Sequence, residues 1–180
     1  MISPLIVLAA QTATPKSIEI VKSVMAKYAD AKRISATYRC TDVKTKKVIY
    51  TGSMEFEAKK FLRFSLTDPA EECTAGEDLD GKFQGSTWVT PADMRGYNDT
   101  VASRQPYLLA DLIQKKAKLD TEFKWDEKVQ TIKKGKVQFW RVTSTDGLTL
   151  TVNTKTKLIA EFVNTDSYHA KSSLLTTVSY

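Results

Sequence analysis

Residues able to do chemistry are few in this 180-residue chain, which has one histidine, His169, and two cysteines, Cys40 and Cys73. His169 falls in a strand-like run, SYHAKSSLLTTVSY, with no supporting motif, so it reads as an edge or surface residue rather than the base of a nucleophilic triad. The cysteines form neither a CxxC pair nor a metal-ligand spacing. They could join in an oxidising compartment or remain buried thiols, and their spacing leaves both open. Paired carboxylates occur at Glu55 and Glu57 and at Glu71 and Glu72. Glycosidase chemistry needs two carboxyl groups set a defined distance apart across a cleft, and near neighbours on one strand do not supply that. Asp78 and Asp80, in an acidic run edged by glycine, lack the ligand spacing of a calcium loop and read as a solvated turn. No nucleophile elbow, phosphate-binding loop, HExxH pair or dinucleotide fingerprint is present. The expectation is a protein that is not an enzyme and uses neither cofactor nor metal.

The informative pattern is structural. Arg33 to Leu66 reads RISATYRCTDVKTKKVIYTGSMEFEAKKFLRFSL, three runs of alternating large and small-or-polar residues split by short polar turns. Alternation puts every second side chain on one face of a strand. The apolar set is Ile34, Ala36, Tyr38 and Cys40, then Met54 and Phe56, then Leu62 and Phe64. An antiparallel sheet built this way has one greasy face that must be covered or filled.

Two helices are available as cover. The first is capped by Thr14 or Ser17 with Pro15 in its opening turn, and Ile18, Val21, Met25 and Tyr28 form its apolar stripe. The second spans Pro106 to Ala117, with Leu108, Leu109, Leu112 and Ile113 on one side and lysines in its last turn. Between them, Asp68 to Arg104 is less regular, apart from a short strand at Ser86 to Thr90 around Trp88. The last third reads as strands at Lys128–Ile132, Val137–Thr143, Leu148–Asn153, Leu158–Asn164 and Ser172–Tyr180, separated by hairpin-type turns. The fold class expected is α+β: a curved antiparallel sheet forming an incomplete, half-open barrel, with helices over its concave apolar face.

Length and composition fit one domain over residues 14–180. The net charge is +6, from 27 Lys and Arg against 21 Asp and Glu. Such a charge attracts anionic headgroups, cell-wall polymers or nucleic acid, or it simply solubilises the surface. The lysines are spread along the chain and no nucleic-acid-binding signature occurs, so a nucleic-acid partner is not expected. Residues 1–13 contain an apolar run, Ile2 to Ala10, ending in two alanines. It reads as the remnant of an export signal, the other reading being a buried first strand. It is too short to span a bilayer.

A helix followed by ISATYRCTDVKTKKVIYTGSMEFEAKKFLRFSL resembles the start of the LolA-like periplasmic lipoprotein carrier family. In that family a helix runs into an F.A.F strand, a turn, a glycine before an alternating strand, and a P..F.W strand. Ile34, Ala36, Tyr38, Gly52, Leu62 and Phe64 stand at those positions. The family's DGKTLWFYDP segment is echoed by Asp80-Gly81-Lys82 and by Gly85 to Pro91, and LTLTVNTKTKLIAEFVNTD resembles its late hairpin. One departure stands out. The carrier's Lys-Arg-Pro run, whose arginine helps hold the cavity closed, is replaced by Glu57-Ala58-Lys59, and a lysine cannot reproduce arginine's bidentate fork.

The resemblance implies a soluble, exported or periplasmic carrier that binds lipid or lipoprotein acyl chains. Its cavity would be lined by Ile34, Tyr38, Met54, Phe56, Leu62, Phe64, Trp88, Leu109, Leu112 and Ile113. It also implies exchange with a membrane transporter or acceptor protein, and a monomer is expected. The residues alone fit a closed core under the helices equally well. An alternative of the same fold is a cell-envelope sensor that binds a protein partner. Position 11 is Gln11 where a lipidated cysteine would anchor a membrane-bound acceptor, which favours a shuttling carrier.

Overall fold

The structure, a computed structural model, describes residues 15–58, 60–67, 70–75, 82–84, 107–165 and 173–180. Among these, ten strands form one antiparallel sheet in the order β5-β4-β3-β2-β1-β10-β9-β8-β7-β6. The first five are β1 (Arg33–Asp42), β2 (Val48–Glu57), β3 (Phe61–Thr67), β4 (Ala70–Ala75) and β5 (Lys82–Gln84). The second five are β6 (Gln130–Lys134), β7 (Val137–Thr143), β8 (Thr149–Asn153), β9 (Ile159–Thr165) and β10 (Ser173–Ser179). Each group is a meander of sequential neighbours. The first and last strands join them, with Tyr38 opposite Val178 and Cys40 opposite Thr176. The order leaves β5 and β6 at opposite ends, so the sheet is open: a half-barrel in an α+β fold.

The alternation that predicts β1 appears in its burial. Ile34, Ala36, Tyr38 and Cys40 are buried, while Arg33, Ser35, Thr37 and Arg39 between them are exposed. Ala36 faces Met54 and Ile34 faces Phe56 across β2. Phe56 in turn faces Leu62 across β3, so one register carries the apolar face over three strands.

Among the described residues three helices cover that face: α1 (Ser17–Ala29), α2 (Tyr107–Ile113) and α3 (Leu119–Glu122). In α1 the cap residue is Lys16, not Thr14 or Ser17. Its backbone N–H is taken by the Glu19 carboxylate at 3.0 Å, which satisfies one donor that the helix start leaves open. Ser17 lies inside the helix and is buried. The buried stripe is Ile20, Val21, Val24 and Tyr28, while Ile18 and Met25 are half-buried at its flank. Both stripes have helical spacing and share Val21 and Tyr28, and packing on α2 and α3 rotates the buried one toward Ile20 and Val24.

The second helix ends at Ile113, short of Ala117. Lys115 adopts a left-handed conformation (φ 58°), its N–H reaches the Leu112 carbonyl at 3.2 Å, and that of Lys116 reaches Asp111 at 2.8 Å. This is the Schellman closure with lysine where glycine is usual.

The stretch read as irregular, Asp68 to Arg104, contributes β4 and β5 to the sheet edge. Cys73 pairs with Phe64 and with Phe83. The run AEECTA lacks a large residue at every second position, and charged residues suit an edge strand. The strand expected at Ser86 to Thr90 lies outside the described residues.

Two hairpin turns are built alike. Between β1 and β2, Thr45 N–H bonds to Asp42 Oδ1 and Lys46 is left-handed (φ 61°). Between β8 and β9, Thr156 N–H bonds to Asn153 Oδ1 and Lys157 is left-handed (φ 61°). Each hairpin also carries a register shift beside the turn, after Cys40 and after Thr151. The side chain of the Asp or Asn folds the turn, and a lysine closes it where glycine is the common choice.

Candidate functional site

The concave face gathers most of the residues that the sequence marks as lining. Ile34, Tyr38, Met54, Phe56, Leu62, Leu109, Leu112 and Ile113 are all buried and belong to one contiguous cluster with Ile20, Val21, Val24 and Tyr28 of α1. The alternating strands supply one wall and the α1 and α2 stripes the other. In this structure those side chains pack on one another. Phe64 holds the β3 register position opposite Met54. Trp88 lies outside the described residues. The cluster continues under α3 through Leu119, Val142, Leu150, Val152 and Ile159. There the Trp125 indole N–H bonds to the Leu119 carbonyl at 2.7 Å, fixing α3 to the segment entering β6.

Among the described residues the buried polar side chains are few, and the Ser17 hydroxyl is buried without a hydrogen-bond partner. The buried Asp42 carboxylate accepts from Thr45 N–H (2.6 Å) and Thr45 Oγ1 (3.0 Å) in the β1–β2 turn. Tyr28 matters more. It is fully buried, and its hydroxyl accepts the backbone N–H of Ile159 at 3.2 Å and is hydrogen-bonded to the Tyr180 hydroxyl. Ile159 stands at the β8–β9 register shift, so a phenol on the covering helix satisfies a buried amide of the sheet. Burial pushes the Tyr28 phenol up to about 12 in spite of both hydrogen bonds. The Tyr180 phenol is also pushed up, first by burial and then by Tyr28 beside it. Tyr180 as a whole is 48% exposed, but its hydroxyl end meets a buried group, and that end sets its ionisation.

Ala58 packs against the core and its N–H bonds to the Lys32 carbonyl at 2.9 Å. Glu57 is paired with Lys60 (2.7 Å) and Arg33 (3.0 Å). Hydrogen bonds from Lys60 and then Arg33 hold its carboxyl below the usual carboxylate range. That is the reverse of what a general acid requires. Tyr28 joins α1 to the sheet by a directed bond, from the Ile159 N–H to its hydroxyl. Its sequence signal was only membership of the α1 stripe, because neither the register shift at Ile159 nor the approach of Tyr180 leaves a mark in local spacing.

Cys40 is buried and forms no disulfide among the described residues. Cys73 lies in β4, three strands from β1, which at ~4.8 Å per strand is beyond disulfide reach. Glu71 and Glu72 occupy consecutive β4 positions. Asp78, Asp80 and His169 lie outside the described residues, as do residues 1–14. Among the described residues no group of three or more His, Cys, Asp or Glu is placed to hold a metal ion.

No protein-family model and no curated protein sequence matches the chain. Among solved structures it is similar to a LolA superfamily protein from Nitrosomonas europaea, at 9% identity, with 93% of each chain covered and a TM-score of 0.39.

Proposed function

We infer that this chain is a non-enzymatic carrier that holds the acyl chains of a lipid or lipidated protein between the open sheet and its covering helices. The observation that supports this most is the make-up of that space. The wall formed by Ile34, Tyr38, Met54, Phe56 and Leu62 and the cover formed by Leu109, Leu112 and Ile113 are apolar and meet in one cluster. Acyl chains bind through buried area, at roughly 0.8 kcal/mol per CH₂. They need apolar lining with few fixed polar groups, and methionine and aromatic side chains adapt to such ligands. The helices are short, and an acyl chain would enter by separating them from the sheet and replacing side-chain contacts with its own. On this reading the protein works in the cell envelope as an exported monomer, receiving its cargo from a membrane transporter or passing it to an acceptor protein.

Titration with a pyrene-labelled palmitoyl chain tests the reading. Saturable one-to-one binding that unlabelled palmitate displaces is the expected result. A probe that stays in water, or partitions without saturation, would remove its basis.

A further inference from the structure

One end of strands β6 to β10 carries a cluster of lysines that the acyl-binding reading does not use. In an antiparallel meander the β6–β7 turn, the β8–β9 turn and the end of β10 all fall at the same end. The first two touch, because the Thr154 N–H bonds to the Gln138 carbonyl at 3.1 Å. These turns present Lys133, Lys134, Lys136 and Lys155, all exposed. The Glu161 carboxylate is already engaged by Lys134 and lies 3.6 Å from Arg141. Among the described residues Lys133, Lys136 and Lys155 face no carboxylate. Lys157 is drawn inward, with its ammonium 4.0 Å from the Trp140 ring centroid. At the opposite end of the same strands Lys124 and Lys128 are balanced by Asp126, Glu127 and Asp146.

The exposed apolar residues fall at the lysine-rich end too. Val137 (42% exposed) opens β7 and Tyr180 (48% exposed) follows β10. They are the two exposed large hydrophobics among the described residues. Five strands at ~4.8 Å spacing put Tyr180, the β8–β9 turn and the β6–β7 turn within about 20 Å of one another. Lysines around an exposed aliphatic and an amphipathic tyrosine suit the headgroup layer of an anionic bilayer, where ammonium groups meet lipid phosphates and the apolar groups enter the interface.

We propose that this end of the half-barrel, the β6–β7 and β8–β9 turns with Val137 and Tyr180, docks reversibly on anionic membrane surfaces. An acidic protein would match the lysines, but the two exposed apolar groups beside them favour the bilayer. Docking does not depend on acyl binding inside the fold, so the two readings stand or fall separately.

The test is co-sedimentation of the full chain with phosphatidylcholine vesicles, with and without phosphatidylglycerol, at low and high salt. Two double variants carry the same change in net charge: K133E/K155E at the docking end and K44E/K47E at the other. All four lysines are exposed, and circular dichroism confirms that both variants fold. Expected are binding to phosphatidylglycerol vesicles only, loss of that binding at high salt, a fall of about ten-fold or more in K133E/K155E, and about two-fold or less in K44E/K47E. Absence of binding at low salt, equal binding to neutral vesicles, or equal losses in the two variants would overturn the proposal.

Discussion

The hydroxyl of Tyr28, on the helix that covers the sheet, accepts the backbone N–H of Ile159 at 3.2 Å where β8 and β9 slip register. Most of what holds α1 down is apolar packing, which is non-directional. This bond gives the cover a defined seat, and the Tyr180 hydroxyl adds a second tie from the end of β10.

Replacing Tyr28 by phenylalanine keeps the ring and removes the acceptor, leaving the Ile159 N–H and the Tyr180 hydroxyl without their partner. The expected loss is about 1–3 kcal/mol of unfolding free energy, read from the urea midpoint with an unchanged slope. Wild-type stability in Y28F would show that the bond carries nothing.

Alkaline pH tests the same pair. The Tyr28 phenol ionises at about 12 in the fold against 10.0 ordinarily, so the folded state holds its proton where the unfolded chain loses it. The associated stability is complete below pH 10 and is lost as pH rises toward 12. The size is about 2–3 kcal/mol over that window. Tyr180 acts in the same direction. Urea midpoints should therefore be level from pH 8 to pH 10 apart from general charge effects, then fall, and fall less steeply in Y28F.

The two like-built turns give an internal control for a cation–π contact. Lys46 and Lys157 share a left-handed backbone, but only Lys157 lies over a described ring, that of Trp140 at 4.0 Å. Glycine relieves the backbone strain in both turns, so K46G should gain about 0.5–1 kcal/mol. K157G also forfeits the ring contact, worth about 0.5–1 kcal/mol, and the bond from the Lys157 ammonium to the Thr154 carbonyl at 2.6 Å, and should come out near neutral. Equal gains in the two variants, by thermal or urea unfolding, would mean that neither the ring nor the Thr154 carbonyl contributes.

Met54 is fully buried at the centre of the apolar wall. Met54→Ala should cost about 2–5 kcal/mol of stability while preserving or tightening palmitoyl-probe binding, because the space it vacates is the space an acyl chain would fill. Parallel loss of stability and probe binding would instead mark Met54 as a core residue alone.

Much of this architecture is legible in the sequence, and for identifiable reasons. Strict alternation over Ile34, Ala36, Tyr38 and Cys40 specifies both a strand and its buried face. The run Val137 to Thr143 matches β7 residue for residue, because Gly135 (φ 60°) and Gly147 (φ 91°) punctuate its two ends. β4 and β5 escape because their pairing is imposed by β3 rather than by their own pattern. The α2 boundary escapes because lysine, not glycine, closes the helix at Lys115. The candidate wall is readable since burial follows period; the Tyr28–Ile159 seat is not, since it depends on a register slip between strands more than a hundred residues further along the chain.

If the space under α1 and α2 accepts acyl chains, they should accompany the protein through purification. Lipid extraction followed by mass spectrometry, on protein purified without detergent from its native host, tests it most directly. Stoichiometric co-purified acyl species are expected in the wild type. Protein that yields no lipid, and whose α1 and α2 amide exchange is unchanged when palmitate is added, would contradict it and leave the cluster around Met54 as a closed core.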